Sequence, residues 1–172
     1  MQVLIVKDSQ GNSYTLITQD QNTNNCWANC IAMCDELVAR CYADPIARVS
    51  SLVSKHQDLT TKEGAMAFDK IVEVCKREGL KTEQHDDPMN ALTVRLQLNV
   101  NRSRPAIVAL MERVSDVITG HVVVCLGWQG KAFLLLDPLA TTLVELPDNR
   151  FPQYSTSYGR TWDFVGQSII FV

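Results

Sequence analysis

Along the chain, the apolar positions change their period near the middle. Residues 3–17 hold two apolar runs, VLIV and YTLIT, around the polar turn KDSQGNS, and this pattern predicts a β-hairpin. Over residues 26–41, Ile31, Met33, Cys34, Leu37, Val38 and Cys41 recur at helical spacing, with Asn24 or Asn25 as an N-cap-like start. Pro45 opens a second helix that reaches about Lys55, because the N–H it lacks is not needed in a first turn. A third helix is predicted from Thr60 or Thr61 to Gly79, and a fourth across MNALTVRLQLNV. The runs AIVALME, HVVVCLGW, AFLLLDP, TTLVEL and QSIIFV follow. They are short, rich in branched residues and bounded by turn signals, so they read as strands. The expected fold is therefore α+β, in one domain: an N-terminal β-hairpin at 1–18, a helical lobe at about 19–100 and an antiparallel sheet lobe at about 105–172. The long segment PDNRFPQYSTSYGRTW is expected at the surface or at the rim of a site.

Composition narrows the choice of partners. An apolar fraction of 46% over 172 residues is enough for one ordinary core. The formal charge is −3 and no Lys/Arg block occurs, which argues against nucleic acid. No apolar run approaches the ~18 residues of a membrane span, and the first residues lack the layout of a signal peptide. Six cysteines are present, four of them within residues 26–41. Without a secretory signal these read as reduced thiols, in the cytoplasm or in a protein delivered by a specialised secretion system. A monomer is expected.

The stretch QNTNNCWANC, residues 21–30, carries the first candidate chemistry. A polar, turn-forming run leads directly to Cys26 and then to an apolar helix. A thiol in the first helical turn sits at the positive end of the helix dipole, among backbone N–H groups without intrahelical partners, so a thiolate is favoured there. Cys26 is the candidate nucleophile and Trp27 its large packing neighbour. Cys30, Cys34, Cys41, Cys75 and Cys125 read as small core residues. A thiolate needs a base. His121 begins GHVVVCLGWQGKAFLLLDP, which reads as two strands turning near Gln129–Gly130. Residue 121 then falls at or next to the partner of Asp137, so the carboxylate can orient the imidazole. His56, in SKHQD, and His85, in EQHDD, read as solvated surface residues. Trp128 and Trp162 are candidates to shield the His–Asp contact from water.

These segments resemble papain-like cysteine peptidases. NNCWANC is similar to their nucleophile segment, and GHVVVCLGW…LLDP to their Gly-His strand and the strand after it, in the same order. The compact size and the Asp-Pro ending look most like the small bacterial branch, with its bacteriocin leader peptidases and effector proteases. The resemblance implies a papain-like two-lobe fold with the site in the cleft, and a Cys26–His121–Asp137 triad. It also implies a peptide or protein substrate and no metal or organic cofactor. In that family a Gln six residues before the nucleophile donates to the oxyanion. Asp20 stands there, flanked by Gln21 and Gln19, of which Gln21 is preferred. Two rivals remain open: the same triad serving transfer or deamidation, and a catalytically silent peptide-binding module, which an Asp at the oxyanion would favour.

Overall fold

In this computed structural model the structure describes residues 1–20, 23–38, 43–100, 104–114, 117–156 and 158–172, without the side chains of 97–100 and 114. Strands β1 (Gln2–Lys7) and β2 (Ser13–Thr18) form an antiparallel hairpin of their own. Helices α1 (Cys26–Leu37), α2 (Pro45–Lys55) and α3 (Phe68–Arg77) follow. After strand β3 (Thr82–Asp86) and helix α4 (Met89–Val100) come β4 (Ala106–Val114), β5 (Val117–Gln129), β6 (Ala132–Leu136), β7 (Val144–Pro147), β8 (Gln153–Ser155) and β9 (Thr161–Phe171). The main sheet has the order β3-β9-β4-β5-β6-β7, with β8 also on β9, and every pairing is antiparallel. Helices mainly precede the sheet, as the expected α+β arrangement requires.

The structure differs from the sequence reading at α3, at β3 and in the segment 147–162, expected as a loop, which contains β8 and the start of β9. Helix α3 starts at Phe68, not at Thr60 or Thr61. Gly64 takes a left-handed φ of 82°. The carbonyls of Glu63 and Gly64 are taken by Asn24 Nδ2 (2.9 Å) and Trp27 Nε1 (3.3 Å), so they are not available to a helix. Residues 60–67 therefore wrap over the start of α1. Strand β3, from the polar segment TEQHD, was not expected. It is held by backbone pairing to β9, where His85 sits opposite Ser168.

The alternation of strand residues divides the core between the two faces of the sheet. Val122 and Val124 face a cluster with Trp27, Ile31, Met33, Leu52 and Ile71 of α1–α3. Val123 and Cys125 face a second cluster with Leu92 and Leu96 of α4 and with Tyr154 and Trp162. Within the helical half lies a buried ionic cluster. Arg48 donates to Asp35 Oδ2 through Nε (3.0 Å) and Nη2 (2.8 Å), and to Glu78 Oε2 through Nη1 (2.6 Å). His56 Nε2 meets Glu78 Oε1 at 2.9 Å and is only 3% exposed, so its expected place in solvent is corrected. The end of α2 lies against the end of α3, and the charged neighbours of His56 in sequence gave no hint of that.

Candidate active site

Cys26 is the first residue of α1 and is half-buried. Asn25 holds the N-cap position, and its carbonyl accepts from Ala28 N (3.0 Å) and Asn29 N (3.1 Å). Its side chain makes no capping bond, and that of Asn24 is engaged with Glu63. Among the described residues, no capping side chain thus competes for the positive end of the helix, where Cys26 sits. The other described thiols are buried. Burial pushes Cys75 and Cys125 up to about 12, and drives Cys30 and Cys34 well above the ordinary value. They are core residues; Cys41 lies outside the described residues.

His121 and Asp137 meet, but not in the expected register. The β5–β6 ladder runs Gln129↔Ala132, Trp128↔Phe133 and Gly127↔Leu134, then shifts to Cys125↔Leu135 and Val124↔Leu136. The turn is centred at least one residue later than expected, and a bulge at Leu126 takes back half a step, which returns Asp137 to the face of His121. Continuing the ladder sets Asp137 opposite Val123, two residues from His121 and on the same face. Such a diagonal neighbour is within side-chain reach. His121 Nε2 and Asp137 Oδ1 are 2.8 Å apart, with the two residues 4% and 0% exposed.

The imidazole lies between the carboxylate and the thiol. Burial alone would depress its pKa. Hydrogen bonds with Asp137 and Cys26, and the charges of both, outweigh that and raise it from 6.5 to about 9. With Nε2 on Asp137, Nδ1 is the ring nitrogen left for the thiol. The Trp162 ring lies 5.0 Å from the imidazole, and the Arg160 guanidinium sits 4.6 Å over Trp162. Trp128 instead packs edge-on against Phe133, so of the two tryptophans Trp162 is the one beside the His–Asp pair.

Asp137 accepts four hydrogen bonds. Oδ1 takes His121 and Leu139 N (2.8 Å); Oδ2 takes the hydroxyls of Tyr154 (2.9 Å) and Tyr158 (2.9 Å). Burial favours the neutral acid, but these donors and the imidazole prevail and hold the carboxyl below its usual range. Sequence reasoning missed both tyrosines. The only signal for them was the long polar-aromatic loop already expected at a rim.

Gln21 lies outside the described residues. Gln19 is near, with its backbone N on Pro138 O (2.8 Å), but its side-chain Nε2 is turned to Thr23 O at 3.3 Å. Its Oε1 is buried with no partner among the described residues. The Asp20 side chain is 72% exposed and bonded to the Met1 amine at 2.8 Å, so it does not enter the cleft. A cleft of about 510 Å³ opens beside His121 between the two halves. Met66, Phe68 and Ile71 line it from the helical half, and Met111, Ile118 and Val165 from the sheet. A second cavity of about 400 Å³, lined by Asp8, Tyr14, Trp128 and Gln129 among others, shares no residue with it. Among the described residues, no helix is long and apolar enough to cross a membrane.

No protein-family model matches the sequence, and no curated protein does. Solved structures do match. The peptidase domain of Streptococcus ComA, a bifunctional ABC transporter of a quorum-sensing pathway, superposes with a TM-score of 0.62 at 20% identity, covering 92% of this chain and 98% of that one. A putative C39-like peptidase from Bacillus anthracis gives 0.58 at 12% identity, covering 100% and 98%. A double-glycine-motif protease from an AMS/PCAT transporter, solved with its leader peptide, gives 0.58 at 18% identity, covering 99% and 98%. A thiol at a helix start, a His–Asp pair on adjacent strands and a cleft between the halves thus lie on a backbone shared with those domains: the chain has the papain-like fold of C39-type peptidases.

Proposed function

We propose that the protein is a cysteine peptidase that hydrolyses peptide bonds through Cys26, His121 and Asp137. The observation that carries this reading is the buried imidazole of His121, 2.8 Å from Asp137 and close enough to the Cys26 thiol for that group, too, to raise its pKa. In this reading Cys26 Sγ, as thiolate, attacks the scissile carbonyl carbon. The oxyanion is met by the Cys26 backbone N–H and by a Gln side chain, Gln21 or Gln19. His121 gives its proton to the leaving amine as the C–N bond breaks, which leaves an acyl-thioester on Cys26. Water then attacks the thioester, His121 takes its proton, and the thiolate departs as the acid product forms. Asp137 holds the imidazole in one orientation throughout. For Gln19 to serve, its amide must leave Thr23 O.

The apolar cleft supports a peptide substrate with a bulky apolar side chain near the cut bond. The leader peptide bound by the transporter protease supports a peptide ligand here as well. The exposure of Asp20, paired with the Met1 amine, supports the enzyme reading over a silent binding module. The test is incubation with a mixed peptide library, read by mass spectrometry. New termini that appear with wild type and vanish with Cys26→Ala and His121→Ala are expected. Mass gains by conjugation, or shifts of about one dalton without cleavage, would replace hydrolysis by transfer or deamidation. No Cys26-dependent change in a library rich in apolar residues would defeat the enzyme reading.

A further inference from the structure

Asp137 is a buried anion whose second oxygen meets no cation among the described residues. Its Oδ2 is taken instead by two neutral hydroxyls, Tyr154 (2.9 Å) and Tyr158 (2.9 Å). Tyr154 stands in β8 and is 3% exposed; Tyr158 lies in the turn between β8 and β9 and is half-buried. We propose that Tyr154 and Tyr158 are positioning residues of the candidate reaction: together they saturate Asp137 Oδ2, which turns Oδ1 onto His121 Nε2 and leaves the carboxylate's charge to the imidazole. This rests on the peptidase reading above.

The argument is one of donors and charge. A fully buried carboxylate oxygen without a donor is costly, so the group would rotate or take up a proton. Either change loosens the bond that orients His121. A lysine or arginine at Oδ2 would satisfy it, but would also compete with the imidazolium for the negative charge. Phenol hydroxyls satisfy it without that competition. Burial, and then the Asp137 charge itself, push both phenols above their ordinary range, so they remain donors wherever the protein is folded. A phenylalanine would fill the apolar space around Tyr154 equally well; the hydroxyl is there for the carboxylate. The same connection also carries Arg160 over Trp162, so it reaches the ring beside His121 as well as the carboxylate.

Among the described residues, the titratable groups facing the pair are few. They are Tyr154 and Tyr158, with Cys26 and Cys30 of α1. Beyond Trp162, Arg160 is paired with Glu112. The test is the rate of Cys26 alkylation by iodoacetamide as a function of pH, read by peptide mass spectrometry, which needs no substrate. Wild type is compared with Tyr158→Phe, the double variant Tyr154→Phe/Tyr158→Phe, and His121→Ala. Each loses hydrogen-bond support to a charged group. The double variant is expected to react roughly tenfold more slowly near about pH 6, its acid limb displaced to higher pH, with recovery to within about twofold on the plateau. Tyr158→Phe alone, at a half-buried turn, is expected to lose about threefold.

Thermal melting is recorded for every variant. A purely structural role for the tyrosines lowers the melting temperature and leaves the acid limb in place, which overturns the inference. So does a limb that moves to lower pH, since the hydroxyls would then have been weakening Asp137's pull on His121. If wild-type Cys26 reacts no faster than in His121→Ala, the peptidase reading falls and takes this inference with it. If Cys26 depends on His121 but ignores both tyrosines, this inference alone falls.

Discussion

The molecule holds two buried histidines, each paired with a carboxylate at nearly equal distance, one in each half. His56 meets Glu78 at 2.9 Å in the helical half, and His121 meets Asp137 at 2.8 Å in the sheet. Length and burial do not separate them; their surroundings do. Glu78 is shared with Arg48 at 2.6 Å and with Lys55 at 3.7 Å, so its charge is spread over three partners. The second ring nitrogen of His56 is buried without a partner among the described residues. Among the described residues Asp137 has no cation other than His121, whose imidazole also interacts with the Cys26 thiol and lines an open cleft. The first pair binds helices together. In the second, the imidazole has a thiol and an open cleft beside it, and that separates a candidate site from a structural one.

Breaking the second pair should have the largest effects. Cys26→Ala or His121→Ala is expected to lower turnover on the order of 10⁴-fold or more, whereas His56→Ala should leave turnover per folded molecule intact. Asp137→Asn is expected to cost on the order of 10²- to 10⁴-fold in kcat with little change in melting temperature, because the volume is kept and the charge and tautomer control are lost. Both follow from progress curves on any peptide cleaved by wild type. Breaking the first pair should read out in stability instead. Arg48→Met removes the guanidinium that bridges buried Asp35 and Glu78, and is expected to cost about 3–5 kcal/mol in urea unfolding. Cys26 reactivity should be unchanged under native conditions.

The smallest effect is a pH slope. His121 is raised from 6.5 to about 9 in the folded state, so it binds a proton more tightly there than in the unfolded chain. Its contribution is complete below the unfolded value and is lost as pH rises through about 9. Melting temperatures of wild type should therefore fall on going from neutral to alkaline pH more steeply than those of His121→Gln. Equal slopes would show that the imidazole's two partners do not retain its proton.

Much of the site was legible because it is built from local rules. The helix start that carries Cys26 and the hairpin that carries His121 and Asp137 are both short-range features. The exact register was not, since the bulge at Leu126 has no marker beyond an adjacent Gly127. The contacts that complete the site come from far along the chain, and sequence spacing does not encode them. Tyr154 and Tyr158 reach Asp137 from 17 and 21 residues away. Trp27 and Asn24 capture loop carbonyls 37 and 39 residues away, which unmade the first turns of the expected third helix. Strand β3 was hidden for a related reason. Its residues are polar, and only the backbone of β9 makes them a strand.

That strand has a consequence for how the chain can be divided. β3 is contributed by the helical half, yet it forms the edge of the main sheet beside β9. Next to it, Asp87 N bonds to Gly166 O at 3.0 Å, and a side chain at Gly166 would meet Asp87 O at 2.1 Å. Each half thus carries a piece of the other's framework. Separate expression of residues 1–103 and 104–172 should give fragments that cannot finish their own sheets and regain structure only when mixed. Cys26 then lies on one fragment and His121 on the other, so His121-dependent alkylation of Cys26 by iodoacetamide should appear only in the mixture.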